Sequence, residues 1–177
     1  MSSHTDKKEG ERLPPSLLGR GVGLLAFAGA AVAAILVLTM LAVVSYSVFM
    51  RYVVGTPITW SDEFSGYLVI GVVMFGAAEA LLKGDHFGVD IVTSKLKGAY
   101  IRHVKIWSLI AVVLVGGAIL YSAYLMVRFS VGFGMYSEGY MEMPMWVPQS
   151  ALIVGPILLI ITALACIAGY LSDRSDP

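Results

Sequence analysis

"FMRYVVGTPITWSDEFSGYLVIGVVMFGAAEALLKGDHFGVD", residues 49–90, holds one apolar run between two groups of charge. Arg51, Asp62 and Glu63 stand before the run; Asp85, His86 and Asp90 follow it. Within 64–82 the only charged residue is Glu79, close to the end. As a helix rising about 1.5 Å per residue, such a run matches a hydrocarbon core of about 30 Å. The stretch therefore reads as a membrane span whose charges mark its two interfaces.

The rest of the chain agrees. Of 177 residues, 58% are hydrophobic and only 14% charged, far from the composition of a soluble domain. Charge-free windows at 21–50, 106–127 and 143–172 supply three further spans. The expected fold is an all-α integral membrane protein with spans at about 21–50, 61–83, 106–127 and 146–171. They form one membrane domain, 21–172, flanked by tails at 1–20 and 173–177. The first window would be about 45 Å long as a helix, so it must tilt or project from the lipid, and it is too long for a signal-peptide core. Acidic and basic residues balance at 12 each, which gives no basic surface for nucleic acid. The single cysteine, Cys166, rules out an intramolecular disulfide and lies in an apolar run, where it reads as a small buried hydrophobe.

Loop charge gives the orientation. The N-tail, the 83–105 connection and the C-tail hold Lys7, Lys8, Arg12, Arg20, Lys83, Lys95, Lys97, Arg102, Lys105 and Arg174, against Arg51 and Arg128 on the other side. The positive-inside rule then places both termini in the cytoplasm. Trp60, Trp107 and Trp146 fall near the starts of spans, as interfacial anchors do. In the middle connection Val89, Val92, Leu96, Ala99 or Tyr100, and His103 recur at steps of three and four, with Lys95, Lys97 and Arg102 largely off that face. This pattern predicts a short amphipathic helix at about 89–104, lying on the cytoplasmic leaflet between spans 2 and 3. A solvated loop is the alternative, and Gly98 counts against the helix.

No constellation in the sequence asks for catalysis or a cofactor. Asp85, His86 and Asp90 have ligand chemistry, but helix termination at Gly84 and capping by Asp90 account for them, so no metal is assigned. No histidine lies in a span to hold a haem, and Ser45, Ser47, Ser65, Ser108 and Cys166 have no base nearby; no catalytic or substrate-binding residue is assigned. Glu79 is the one intramembrane charge, a candidate proton or cation carrier, but Lys83 four residues on offers it an interfacial ion pair. An autonomous four-helix channel or exporter using Glu79 is the alternative function. In the turn before span 2, Thr59 and Asp62 resemble a capping box, and Asp62 and Glu63 complement the helix dipole. Arg51 is expected to form an ionic link with Asp62 or Glu63, fixing the first two spans or gripping a partner. Ala26, Gly29, Ala30 and Ala33 in span 1, with Gly66, Gly71 and Gly76 in span 2, offer close-packing surfaces for such a partner. Pro148 is expected to start span 4 and Pro156 to bend it. Met141, Met143 and Met145 read as an interfacial apolar edge.

In this order, "RYVVGTPITWSDE" and "GAAEALLKGDHFGVDIV" resemble the DctQ-type small membrane subunit of tripartite ATP-independent periplasmic (TRAP) transporters. The resemblance rests on Arg51, Tyr52, Gly55, Pro57, Trp60, Asp62, Glu63, Gly84, His86, Val89 and Asp90, and on the four-span layout along nearly the whole chain. It departs at Asp62, where many relatives carry glutamate, and at Glu79, where a neutral residue is expected. What the resemblance implies is a scaffold subunit in the bacterial inner membrane. Its partners would be a large elevator-type subunit holding the substrate and sodium sites, a transiently bound periplasmic binding protein, and the surrounding phospholipids. The implied cargo is organic acids. Arg51, Trp60, Asp62, Glu63, His86 and Asp90 are then structural or subunit-interface candidates, and no cofactor is implied.

Overall fold

The computed structural model of the chain describes residues 17–83 and 100–172. Four helices are long and apolar enough to cross a membrane: α1 (Leu17–Phe49), α2 (Ser61–Leu82), α3 (Tyr100–Gly132) and α4 (Trp146–Ser172). A π-helical turn, Met50–Val54, extends α1. Most of the amphipathic segment expected at 89–104 lies outside the described residues. Its last part, 100–104, belongs to α3, which therefore starts before the apolar window does.

Packing order differs from chain order. α2 packs on both α1 and α4, α1 also touches α4, and α3 packs closely only on α4; among the described residues no Cα of α3 comes within 8 Å of a Cα of α1 or α2. Small residues set the close approaches, because van der Waals packing is the main attraction between helices in lipid. A Cβ added at Gly29 of α1 would lie 2.7 Å from the carbonyl oxygen of Phe75, and one at Gly71 of α2 would lie 2.7 Å from Leu36 Cδ1. Ala26 and Ala33 are buried in the same seam. At the α2–α4 seam, a Cβ at Gly155 would sit 2.5 Å from Met74 Cβ; at the α3–α4 seam, one at Gly116 would sit 3.0 Å from Ile160 Cγ1. Most of the small residues expected to receive a partner are therefore used within the chain. Gly66 differs, being exposed with nothing within 4 Å of an added Cβ.

Toward the ends of α2 and α4 and the start of α3, Leu81, Leu109, Ala163, Cys166 and Tyr170 form a buried cluster. Cys166 is fully buried there, packed as a small hydrophobe. Pro148 falls in the first turn of α4, where a helix leaves its N–H groups unpaired in any case. Pro156 is buried inside a helix that continues through it to Ser172.

Candidate functional site

The charged edge at the start of span 2 is built by two chain reversals, from α1 to α2 and from α3 to α4. At the end of α1, the π-helical turn closes on Gly55, which adopts the left-handed conformation (φ 78°) and donates its N–H to the Met50 carbonyl. Thr56 donates to the same oxygen at 3.2 Å. Arg51, Tyr52, Val53 and Val54 are all exposed on this turn. The chain then enters α2 without the expected capping box, for Trp60 holds the cap position in helical conformation and no side chain caps it. Ser61, 2% exposed, takes over the anchoring. Its hydroxyl donates to the Ile58 carbonyl at 3.0 Å and lies 2.8 Å from the buried hydroxyl of Ser47, which is left to donate to it. This bond ties the start of α2 to the end of α1 in a place without competing water. Trp60 is exposed, its ring edge-on to Phe64 with centroids 6.0 Å apart.

The second reversal joins α3 to α4. Gly134, left-handed at φ 59°, ends α3 in a Schellman motif: Met135 N–H bonds the Ser130 carbonyl at 2.9 Å and Gly134 N–H that of Val131 at 3.3 Å. Tyr136 and Pro144 then pair in an isolated antiparallel bridge. Ser137 N–H bonds Met143 O at 2.8 Å, Met145 N–H bonds Met135 O at 3.0 Å, and Glu142 turns the chain with a left-handed φ of 44°.

Glu63 clamps this hairpin to α2. The hydroxyls of Tyr67 and Ser137 both donate to Glu63 Oε1, Tyr67 at 2.7 Å, and the two hydroxyls lie 2.9 Å apart. The Met141 N–H reaches Glu63 Oε2 at 3.3 Å, and the Gly139 N–H donates to Ser137 Oγ at 3.2 Å. Gly139 leaves room for the clamp, since a Cβ there would displace the Glu63 carboxylate. A carboxylate holding two hydroxyls and a backbone N–H forms charge-assisted bonds in fixed geometry. It is a structural fastening between the first turn of α2 and the loop that leads into α4.

The Arg51 link to Asp62 or Glu63 is not formed within the described residues. Glu63 is committed to the hairpin, while Arg51 and Asp62 are exposed with no ion pair there. The reason is geometric: the π-helical turn and the loop that follows carry the Arg51 side chain out to the surface, while Glu63, in the first turn of α2, turns its carboxylate to the hairpin. Glu79 pairs with Lys83 one helical turn on, Nζ to Oε1 at 2.6 Å; its Oε2 is buried without a hydrogen-bond partner among the described residues. His86 and Asp90 lie outside the described residues. Ser47, Ser61, Tyr67, Ser137 and Gly139 were not singled out from sequence as members of the site. The one local signal was the i, i+4 spacing of Glu63 and Tyr67 on a helix.

No curated protein and no solved structure matches the chain. The family profile described as "Tripartite ATP-independent periplasmic transporters, DctQ component" matches residues 40–172, which takes in the π-helical turn, the Glu63 clamp and all of α2, α3 and α4. With four membrane-spanning helices and this match over most of its length, the chain belongs to the DctQ family, the small membrane subunit of TRAP transporters, a transporter component rather than an enzyme family.

Proposed function

We propose that this subunit is a static scaffold. In this reading it widens the stationary part of a sodium-driven transporter for organic acids, against which a large elevator-type subunit moves its substrate and ion sites. In this reading it lies in the bacterial inner membrane with both termini cytoplasmic, an orientation supported by the distribution of Lys and Arg. A periplasmic binding protein delivers substrate to the assembled pair.

The observation that carries the reading is the use made of the acidic side chains in α2. Glu63 fastens a hairpin and Glu79 neutralises Lys83, so both hold the subunit's own shape. The Glu79–Lys83 pair also weighs against the autonomous exporter, which needs that carboxylate free to exchange its cargo. Arg51, Asp62 and Trp60, exposed at one edge, are then placed to contact the large subunit.

Co-purification tests the assembly: a tagged copy of this chain, expressed with the large subunit, should retain it through detergent extraction, and Arg51→Ala should weaken retention or lower uptake velocity. A raised KM for substrate with normal assembly would instead put Arg51 in the substrate path. Single-cysteine labelling at Ser94 and Ser172 in a Cys166→Ala background tests the orientation, since periplasmic reactivity at either position contradicts it.

A further inference from the structure

Because α2 and α3 both lean on α4 without close backbone approach to each other, an apolar groove of about 610 Å³ opens between them. Val73, Gly76 and Ala77 form one wall, Ala111 and Val115 the other, and Leu159 of α4 lies at its base. We propose that this groove seats an acyl chain of an anionic phospholipid, with the lipid phosphate held at Lys105. Two observations choose this occupant.

The first is length. The groove extends from Val72 to Ala80 on α2 and from Ser108 to Val115 on α3, about 12 Å at about 1.5 Å per residue. That is close to half of a hydrocarbon core of about 30 Å, the depth of one leaflet. A partner's membrane-crossing helix would need contact along most of the span.

The second is charge at the mouth. Lys83 follows Ala80 by three residues and Lys105 precedes Ser108 by three, so each lies one helical turn beyond the same end of the groove. Lys105 is half-buried with Nζ 5.8 Å from the ring centroid of the buried Tyr170, which holds the ammonium in place. Lys83 is paired with Glu79, which leaves Lys105 as the cation that meets the phosphate. Apolar walls one leaflet deep, with the Lys105 ammonium at the headgroup level and the Lys83 charge already balanced by Glu79, match a lipid anion. Assignment to the cytoplasmic leaflet rests on the orientation proposed above.

The test uses the full chain in nanodiscs containing equal amounts of phosphatidylglycerol and phosphatidylethanolamine, with the lipids retained on release identified by native mass spectrometry. The wild type should keep phosphatidylglycerol in preference. Val73→Trp and Ala77→Trp fill the groove from an exposed rim and from a wall, and both should lose the retained lipid, whereas Leu114→Trp, on an exposed face of α3 away from the groove, should keep it. Lys105→Gln should keep a lipid but lower the preference for the anionic one about fivefold, the effect of one lysine near a lipid surface. Unchanged retention in both groove-filling variants, or equal retention of the two lipids by the wild type, overturns the proposal. So does loss of the lipid when the large subunit binds, coupled with failure of the tryptophan variants to assemble, which would make the groove a helix-docking surface. These arms read the groove whichever way the chain faces, so an orientation error, seen by labelling Ser172→Cys, is separable from failure of the site.

Discussion

The Glu63 carboxylate reaches across 74 residues of sequence to Ser137, and the consequence is cooperative. Tyr67 and Ser137 share one oxygen and each other, so removing either hydroxyl changes the environment of the other. Tyr67→Phe and Ser137→Ala should therefore be non-additive in a double-mutant cycle of thermal stability, whereas independent contributions would show that the clamp is not a unit. Glu63→Gln keeps one acceptor but turns an amide N–H₂ toward either the hydroxyls or the Met141 N–H. It should speed hydrogen exchange at Met141 and Gly139 while leaving the helices protected. At the buried Ser47–Ser61 bond, Ser47→Ala removes a donor in a dry site and should cost about 1 kcal/mol in reversible unfolding. The Glu79 pair gives a test of sign. Lys83→Ala leaves a largely buried carboxylate without its cation and should destabilise more than Lys83→Ala combined with Glu79→Gln, because the second change removes the stranded charge.

At the level of the helices, close approach depends on a few positions without side chains. Gly155→Val would drive a branched side chain into the backbone of α2 at Met74 and should cost about 1–3 kcal/mol. Gly66→Val, facing open space, should cost little in packing and serves as the control; equal losses in the two would contradict the seam described here. The four spans were legible from sequence because hydropathy over about 20 residues is a local and strong signal. Their packing order was not. The small residues of α1 and α2 are visible in the sequence, but nothing local says whether Gly29 meets Phe75 of the same chain or another protein. The Ser137 end of the clamp was equally hidden, since a serine in a methionine-rich loop carries no mark of a glutamate in another helix. The capping box failed for a local reason: Ser61 turned its hydroxyl back to Ile58 and across to Ser47, and Trp60 took the cap position.

Across the whole molecule, α2 and α4 form the interior while α1 and α3 stand at the edges with broad apolar faces, including Leu24, Phe27, Leu38 and Leu41 on one side and Leu114, Tyr121 and Phe129 on the other. Such faces require lipid or another membrane protein around them. The polar groups, by contrast, are concentrated in fastenings at the ends: the serine bond, the Glu63 clamp and the Glu79–Lys83 pair. A subunit organised in this way suits a fixed support. The central claim is tested most directly by sodium-driven uptake of an organic acid into proteoliposomes, comparing this chain alone with the chain plus its large subunit and binding protein. The account predicts uptake only with all three components, and loss of velocity without a change in apparent substrate affinity when Glu63 is replaced by Ala in the complex. Sodium-driven uptake by this chain alone, abolished by Glu79→Gln, would contradict it.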